Sequence, residues 1–215
     1  MPVSFAPRRK RRAIIIGGSM SGLFAAAFLR QKGWDADVYE RSTVELVGRG
    51  AGITTHPELL DALRSSGAGT RDLGVEVEKR IALDRDGRVI AEKYLPQILT
   101  SWDRLQRLLR ETIDAARYHL GHTFERVEQD GSGIVVHFTG RRSERADILI
   151  GSDGIRSSVR AQVAPAIQPI YSGYYIWRGA PNEADLTPHT RESISLTSRS
   201  SCRSSSRSSA IPSPD

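Results

Sequence analysis

The stretch Arg12 to Glu40, RAIIIGGSMSGLFAAAFLRQKGWDADVYE, leaves few folds open to this chain. Ala13 to Ile16 is a short apolar run, the pattern of a parallel strand covered on both faces. It enters Gly17-Gly18-Ser19-Met20-Ser21-Gly22. In a turn of this kind the first glycine allows a tight bend, a small second residue lets backbone approach a pyrophosphate, and the third lets helix and strand pack closely. Gly17 and Gly22 hold the first and third places, and Ser19 stands where a second glycine is usual. A helix is predicted from about Ser21 to Lys32, stopped by Gly33, with the N–H groups and positive dipole end of its N-terminus facing the turn. Ala36 to Tyr39 reads as a second strand. Glu40 follows 18 residues beyond Gly22, at the spacing of a carboxylate that accepts from ribose hydroxyls. Strand, glycine turn, helix, strand and acid together predict a dinucleotide site built from Gly17, Gly18, Ser19, Gly22 and Glu40.

Charge matters here only once it is localised. The net +6 suggests a basic protein, but Arg8, Arg9, Lys10, Arg11 and Arg12 supply five of the 31 cationic residues, and the remainder nearly balances the 25 acids. Composition therefore gives no nucleic-acid-binding face. Residues 1–12 are expected to form a solvated basic lead-in. A basic cluster before an apolar run mimics a secretory signal, yet cleavage near Ala25 to Ala27 would part the glycine turn from its helix. The single cysteine, Cys202, excludes an internal disulfide and suits a reducing cytoplasm. No apolar run reaches the roughly 18 residues of a membrane-spanning helix.

After Glu40 and Arg41, the alternate glycines of Gly48-Arg49-Gly50-Ala51-Gly52 would let backbone pass close to a flat ligand or form a plain loop. Pro57 opens a core-facing helix, PELLDALRSSG. Val75 to Leu83 and Arg88 to Tyr94 form a predicted hairpin through Asp86-Gly87, ended by Pro96. The next helix starts near Ser101 or Asp103. Arg104 falls in its first turn, where a cation opposes the dipole. It is either an exposed helix arginine or one that reaches an anion or a ligand edge. A second hairpin spans Thr123 to Gln129 and Ile134 to Thr139. The nearby His119, His122 and His137 lack the carboxylate or cysteine of a metal site. Ala146 to Ile150 is an apolar strand entering Gly151-Ser152-Asp153-Gly154, where Asp153 and Gly154 open a helix. Its carboxylate there would hold a sugar, order the phosphate loop or cap the turn.

These pieces in this order (IIIGGSMSGL with YER at Tyr39 to Arg41, GRGAGI, WDRLQRLL, and ADILIGSDGIRSSVR) resemble the single-component flavoprotein aromatic hydroxylases, the para-hydroxybenzoate hydroxylase-like family, with the Gly17-Gly18-Ser19 variant similar to the 2,6-dihydroxypyridine 3-monooxygenase branch. The resemblance implies an α/β fold: a Rossmann-like FAD-binding domain over 13–74 and 99–165, and an inserted, incomplete β-rich substrate domain over 75–98 and 166–190. It implies FAD on Gly17, Gly18, Ser19, Gly22, Glu40 and Arg41, with Arg49 and Arg104 on the flavin side and Asp153 and Gly154 serving FAD and the nicotinamide cofactor. It also implies that NADH or NADPH and O2 drive hydroxylation of a small, hydroxylated aromatic ring. The cofactor carries that chemistry, so no catalytic acid, base or metal ligand is assigned.

Members of that family run to nearly twice this length and contain a further Gly-Asp segment and the rest of the substrate domain. Tyr171, Tyr174, Tyr175 and Trp177 read as sheet-packing residues of an opening strand of that domain. From Arg191 the sequence becomes serine- and arginine-rich, with ten serines and four arginines in 191–209, a composition expected to be disordered. The expectation is a truncated enzyme whose 191–215 tail arises from a shifted reading frame or a premature end. The alternatives are a non-catalytic remnant of an FAD domain, an NAD(P)-binding reductase using the first motif alone, and an RNA-binding Arg/Ser tail.

Overall fold

The computed structural model describes residues 9–48, 52–174 and 183–188. They fall into two units. The first, running to Gly74 and resuming at Leu99, is a mixed α/β domain of Rossmann type. Its chain order begins with β1 (Arg12–Ile16), α1 (Met20–Gln31), β2 (Asp35–Tyr39), β3 (Gly52–Thr54) and α2 (Pro57–Ser66). Ala13, Ile14 and Ile15 of β1 are wholly buried. Complete burial is what a central parallel strand experiences, and each such isoleucine contributes roughly 2 kcal/mol relative to exposure. Alternation divides the strand between two layers. Ile14 and Ile16 face one core, whereas Ile15 points at α1, whose Leu23, Ala26 and Ala27 are buried.

The second unit centres on a hairpin of β4 (Val75–Leu83) and the first part of β5 (Val89–Ser101), with Lys79 paired to Glu92 and Arg80 bonded to Gln97. A short 3-10 turn, Glu183–Asp185, also belongs to it. The predicted stop at Pro96 does not occur. Proline's φ suits an extended chain and removes only one donor, so β5 runs on through it. Within the first unit Leu99 to Ser101, the end of β5, pairs antiparallel with β3.

The chain continues through α3 (Trp102–Arg110), a 3-10 turn at Ala115–Arg117, β6 (Tyr118–His119), β7 (Phe124–Asp130), β8 (Gly133–Phe138), β9 (Glu144–Ala146), β10 (Ile148–Gly151) and α4 (Ser158–Val163). The predicted helices and hairpins are present, with two differences. β6 is a two-residue strand with no hydrophobic pattern of its own, and it joins the parallel sheet by bonding to β2. The single strand expected over Ala146 to Ile150 is divided: Ala146 pairs antiparallel with β8, and Ile148–Gly151 pairs parallel with β1.

The parallel sheet has the order β10-β1-β2-β6, and β7-β8-β9 form a separate antiparallel sheet. The two are joined by a core of Ile14, Ile16, Tyr39, Phe124, Val136 and Phe138. The described part of the basic lead-in is less free than expected. Arg9 pairs with Asp147, Lys10 with Asp35, and Arg12 with both Asp37 and Glu144. Burial would raise the Asp37 carboxyl, but hydrogen bonds from His119, Arg12 and Arg117 outweigh it and hold the group down to about 2.

Candidate functional site

The strand order reverses between β1 and β10, because the chain leaves β1 toward β2 and β6 and comes back on the other side. Ligands of open α/β sheets sit at the carboxyl ends of the strands at such a switch point. A cleft of about 250 Å³ lies there, lined by Gly17, Ser19, Glu40, Arg41, Asp153 and Gly154 among others. That volume is below the roughly 300–1,000 Å³ of complete small-molecule pockets, and suits one portion of a dinucleotide.

Backbone bonds fix the floor of the cleft. Gly17 N–H donates to the Tyr39 carbonyl at 2.9 Å, and Ser152 N–H donates to the Ile16 carbonyl at 2.7 Å. Gly17 has φ +108°, and a methyl there would lie 2.3 Å from the Ser152 carbonyl oxygen. A methyl on Gly22 would lie 1.9 Å from the Gly17 carbonyl oxygen. Both obstacles are backbone, which cannot swing aside, so these positions require glycine for the close strand–helix approach expected from the sequence.

Three helices are capped by their own chain. His56 caps α2, Ser101 caps α3 by accepting from Arg104 N–H, and Ser157 caps α4. At α1 the N-cap Ser19 is extended, its side chain makes no capping bond, and the first turn carries no acid. The N–H groups and dipole of a twelve-residue helix thus have no counterpart in their own N-cap side chain or first turn at the cleft wall, where an anion is favoured. Glu40 stands beside this turn, 7% exposed. One carboxylate oxygen accepts from Gly18 N–H at 2.8 Å and the other from Ser42 N–H at 2.9 Å. Each oxygen retains a further lone pair. A glycine cradle, an open helix terminus and an adjacent carboxylate fit the pyrophosphate and ribose of a dinucleotide.

At the second junction Asp153 is engaged within the protein. Its carboxylate accepts from Ser157 Oγ at 2.5 Å, Ser158 N–H at 2.7 Å and Val159 N–H at 3.2 Å. Gly154 has φ +85°, which lets the loop turn beneath it. Arg41 is exposed at the rim. Arg104 is not among the cleft residues. Its guanidinium donates to the Asp72 carbonyl at 2.8 Å and to the Arg71 carbonyl at 3.4 Å, bracing a turn in which Asp72 has φ +49°. Arg49 lies outside the described residues, as do Tyr175, Trp177 and the 191–215 tail.

The sequence reading did not foresee the aromatic wall. Tyr39, Trp102, His122, Thr123 and Phe124 line the cleft. Trp102 comes two residues before Arg104 in the same helix, and His122 to Phe124 lie at the entry of the second hairpin. Only tertiary packing aims them at one place. Tyr39 stacks on His119 and on Phe138 with ring centroids 4.6 Å apart in each case. Burial first, then the nearby negative charges of Glu144 and Asp37, push the Tyr39 phenol up to about 12 against the opposing pull of Arg12. His122 Nδ1 lies 2.8 Å from the Leu120 carbonyl. A carbonyl only accepts, so Nδ1 of His122 is the donor in this contact. Among the described residues no group of three or more His, Cys, Asp or Glu side chains is placed to hold a metal, and no helix is long and apolar enough to cross a membrane.

The sheet order and the cradle at its switch point define a dinucleotide-binding α/β domain. Residues 10–194 match the model of the FAD-binding domain family, and the chain belongs to that family. It is 36% identical over 173 residues to 2,6-dihydroxypyridine 3-monooxygenase of Paenarthrobacter nicotinovorans, covering 78% of this chain and 42% of that one. The solved structure of 2,6-dihydroxypyridine-3-hydroxylase from Arthrobacter nicotinovorans superposes with a TM-score of 0.70 at 33% identity, over 78% of this chain and 42% of the other. Klebsiella pneumoniae HpxO complexed with FAD and uric acid gives a TM-score of 0.62 at 27% identity, over 70% of this chain and 41% of the other. The chain spans less than half the length of these relatives.

Proposed function

We propose that this chain is the FAD-gripping part of an FAD-dependent monooxygenase that uses NADH or NADPH and O2 to hydroxylate a hydroxylated pyridine or related small aromatic. The observation that carries the reading is the uncapped α1 terminus beside Gly17, Gly22 and Glu40 at the sheet's switch point. In this reading the turn of Gly17, Gly18, Ser19 and Gly22 forms the pyrophosphate cradle, with Gly17, Gly18 and Gly22 giving it its shape and Ser19 and the α1 N–H groups facing the anion, Glu40 takes the adenosine ribose and Arg41 the rim of that half. Asp153 orders the second loop beneath Gly154. Arg49 and Arg104 belong to the flavin side, Arg104 acting through the Arg71–Asp72 turn it braces. Bound flavin would supply the electron transfer and oxygen activation, while the aromatic wall of Tyr39, Trp102 and Phe124 keeps water from the buried half of the cofactor.

Residues 13–74 and 99–165 are assigned to FAD binding, and 75–98 with 166–190 to part of a substrate domain. The similarity to a 2,6-dihydroxypyridine 3-monooxygenase supports the substrate class. The single cysteine supports a cytoplasmic location.

Titration of the purified chain with FAD, followed by absorbance and flavin fluorescence, tests the binding step. A spectrum without protein-bound flavin after FAD addition overturns it, and tight NADH binding without flavin then favours the reductase reading. Oxygen uptake with NADH or NADPH and 2,6-dihydroxypyridine, with a product one oxygen atom heavier, tests the reaction. Flavin uptake with no such product identifies a binding domain that does not turn over alone.

A further inference from the structure

Packed against Gly18 of the glycine turn, and not among the cleft residues, lies a tyrosine that the cofactor reading does not use. Tyr118 is the first residue of β6, 6% exposed, and its hydroxyl donates to the Gly18 carbonyl at 3.1 Å. The fit is close: a methyl added to Gly18 would stand 2.1 Å from that hydroxyl and 2.6 Å from the ring carbon bearing it. Gly18 is therefore glycine for a reason separate from any ligand, since its Cα face is occupied by the tyrosine.

The same peptide is held from its other neighbour. Gly18 N–H donates to Glu40, whose second oxygen is fixed by Ser42 N–H. The two groups of Gly18 thus have different partners, one on β6 and one at the end of β2. A glycine pair samples far more backbone conformations than other residues, so a turn containing it keeps one shape only where contacts impose it. Over the Tyr118 ring the Arg110 guanidinium lies 4.2 Å from the centroid, and Arg110 also pairs with Glu45 at 3.5 Å. Glu45 precedes Leu46, a buried residue of the cleft wall. Loop wall, α3, β6 and glycine turn are therefore linked in sequence by Glu45, Arg110, Tyr118 and Gly18.

We propose that Tyr118 is a positioning residue that holds the Gly17–Gly18 turn in the shape that presents the α1 terminus to a dinucleotide phosphate, with Arg110 and Glu45 bracing it. The proposal rests on the FAD reading for the identity of the ligand, but the pin itself does not. Burial, followed by the charges of Glu40 and Glu45, pushes the Tyr118 phenol above its ordinary value, so the donor keeps its proton at physiological pH.

The test compares the unsubstituted chain with Tyr118→Phe, which keeps the ring and removes only the donor. Two measurements are made: amide hydrogen exchange over residues 17–21 of the FAD-free chain, and FAD affinity by fluorescence quenching. The expected result is faster exchange confined to that segment, a thermal midpoint lowered by no more than about 4 °C, and FAD binding about fivefold weaker, the scale of one neutral hydrogen bond. Exchange and affinity both equal to the unsubstituted chain overturn the proposal. If the unsubstituted chain takes up no FAD, the cofactor reading fails, and exchange in the FAD-free chain alone decides the pin. Gly18→Ala supplies a second route, because the added methyl displaces the hydroxyl. Faster local exchange in a chain that still melts cooperatively supports the proposal, and unchanged exchange overturns it.

Discussion

Two strand-to-helix junctions lie side by side at the carboxyl edge of the parallel sheet, with Ile16 at the end of β1 paired to Gly151 at the end of β10. Both contain glycines, both face the same cleft, and both read in the sequence as nucleotide motifs. They differ in how the helix terminus is satisfied. At α4 the Asp153 carboxylate and Ser157 hydroxyl occupy the N–H groups, so the junction is electrostatically complete. At α1 Ser19 leaves its side chain out of the cap, no acid follows, and the nearest carboxylate, Glu40, is drawn to the Gly18 N–H on the flank. A polar residue beside a glycine turn is thus not itself a ligand contact. In the proposed reading the junction left incomplete by its own chain is the one that takes an external anion, and the complete one shapes the wall opposite.

The largest effect should come from closing the first junction sterically. Gly22→Ala forces its methyl onto the Gly17 carbonyl, so FAD uptake should be lost and stability should fall by about 2 kcal/mol, as seen in titration and denaturant unfolding. Uptake equal to the unsubstituted chain would remove the basis for assigning phosphate binding to this turn.

Acid acts on what both junctions share, the alignment of β1 with β2. Asp37 has its folded value lowered to about 2 from 3.8, so its contribution is present above about pH 4 and is lost as pH falls through the folded value. That contribution is about 2 kcal/mol, and Asp37→Asn should flatten the stability profile between pH 4 and pH 2. A profile of unchanged slope in the variant would show that the Arg12, Arg117 and His119 contacts do not govern acid unfolding.

Ser19→Asp tests the contrast most directly by giving α1 the acid that α4 already has. It should stabilise the FAD-free chain by about 0.5 kcal/mol through the helix dipole. It should also weaken FAD about tenfold through repulsion of the pyrophosphate. Affinity that rises instead would mean the anion does not sit there. The smallest effect is expected for Asp153→Ala, a loss of about 1 kcal/mol in stability from the missing cap with less change in FAD affinity than Ser19→Asp produces. A larger affinity loss than stability loss would make the two junctions alike.

The first junction was legible in the sequence because its constraints are local: Gly17, Gly22 and Glu40 act through chain geometry at fixed spacing, and the structure places Gly17 and Glu40 at one cleft with Gly22 packed against the Gly17 carbonyl. Asp153 was legible as a junction residue with a capped turn among its alternatives, but the sequence could not choose between cap and ligand contact, since both require the same carboxylate. Tyr118 and Trp102 were not legible. Tyr118 belongs to a two-residue strand, and Trp102 sits at a helix start where an aromatic residue signals nothing in particular. Only the return of the chain from α3 brings them to the turn. For Arg104 the local reading left two alternatives, an exposed helix arginine or one reaching an anion or a ligand edge, and it could not foresee the two backbone carbonyls of Arg71 and Asp72 that its guanidinium meets, because they come from a distant turn.

The position of β1 in the sheet also bears on synthesis. It lies between β2, available some twenty residues later, and β10, whose pairing residues begin at Ile148. Until β10 leaves the ribosome, β1 has one edge unpaired and Arg9 and Arg12 lack their partners at Asp147 and Glu144. A nascent chain held before residue 148 therefore exposes an apolar strand edge, and the cleft closes only when β10 arrives to complete the order.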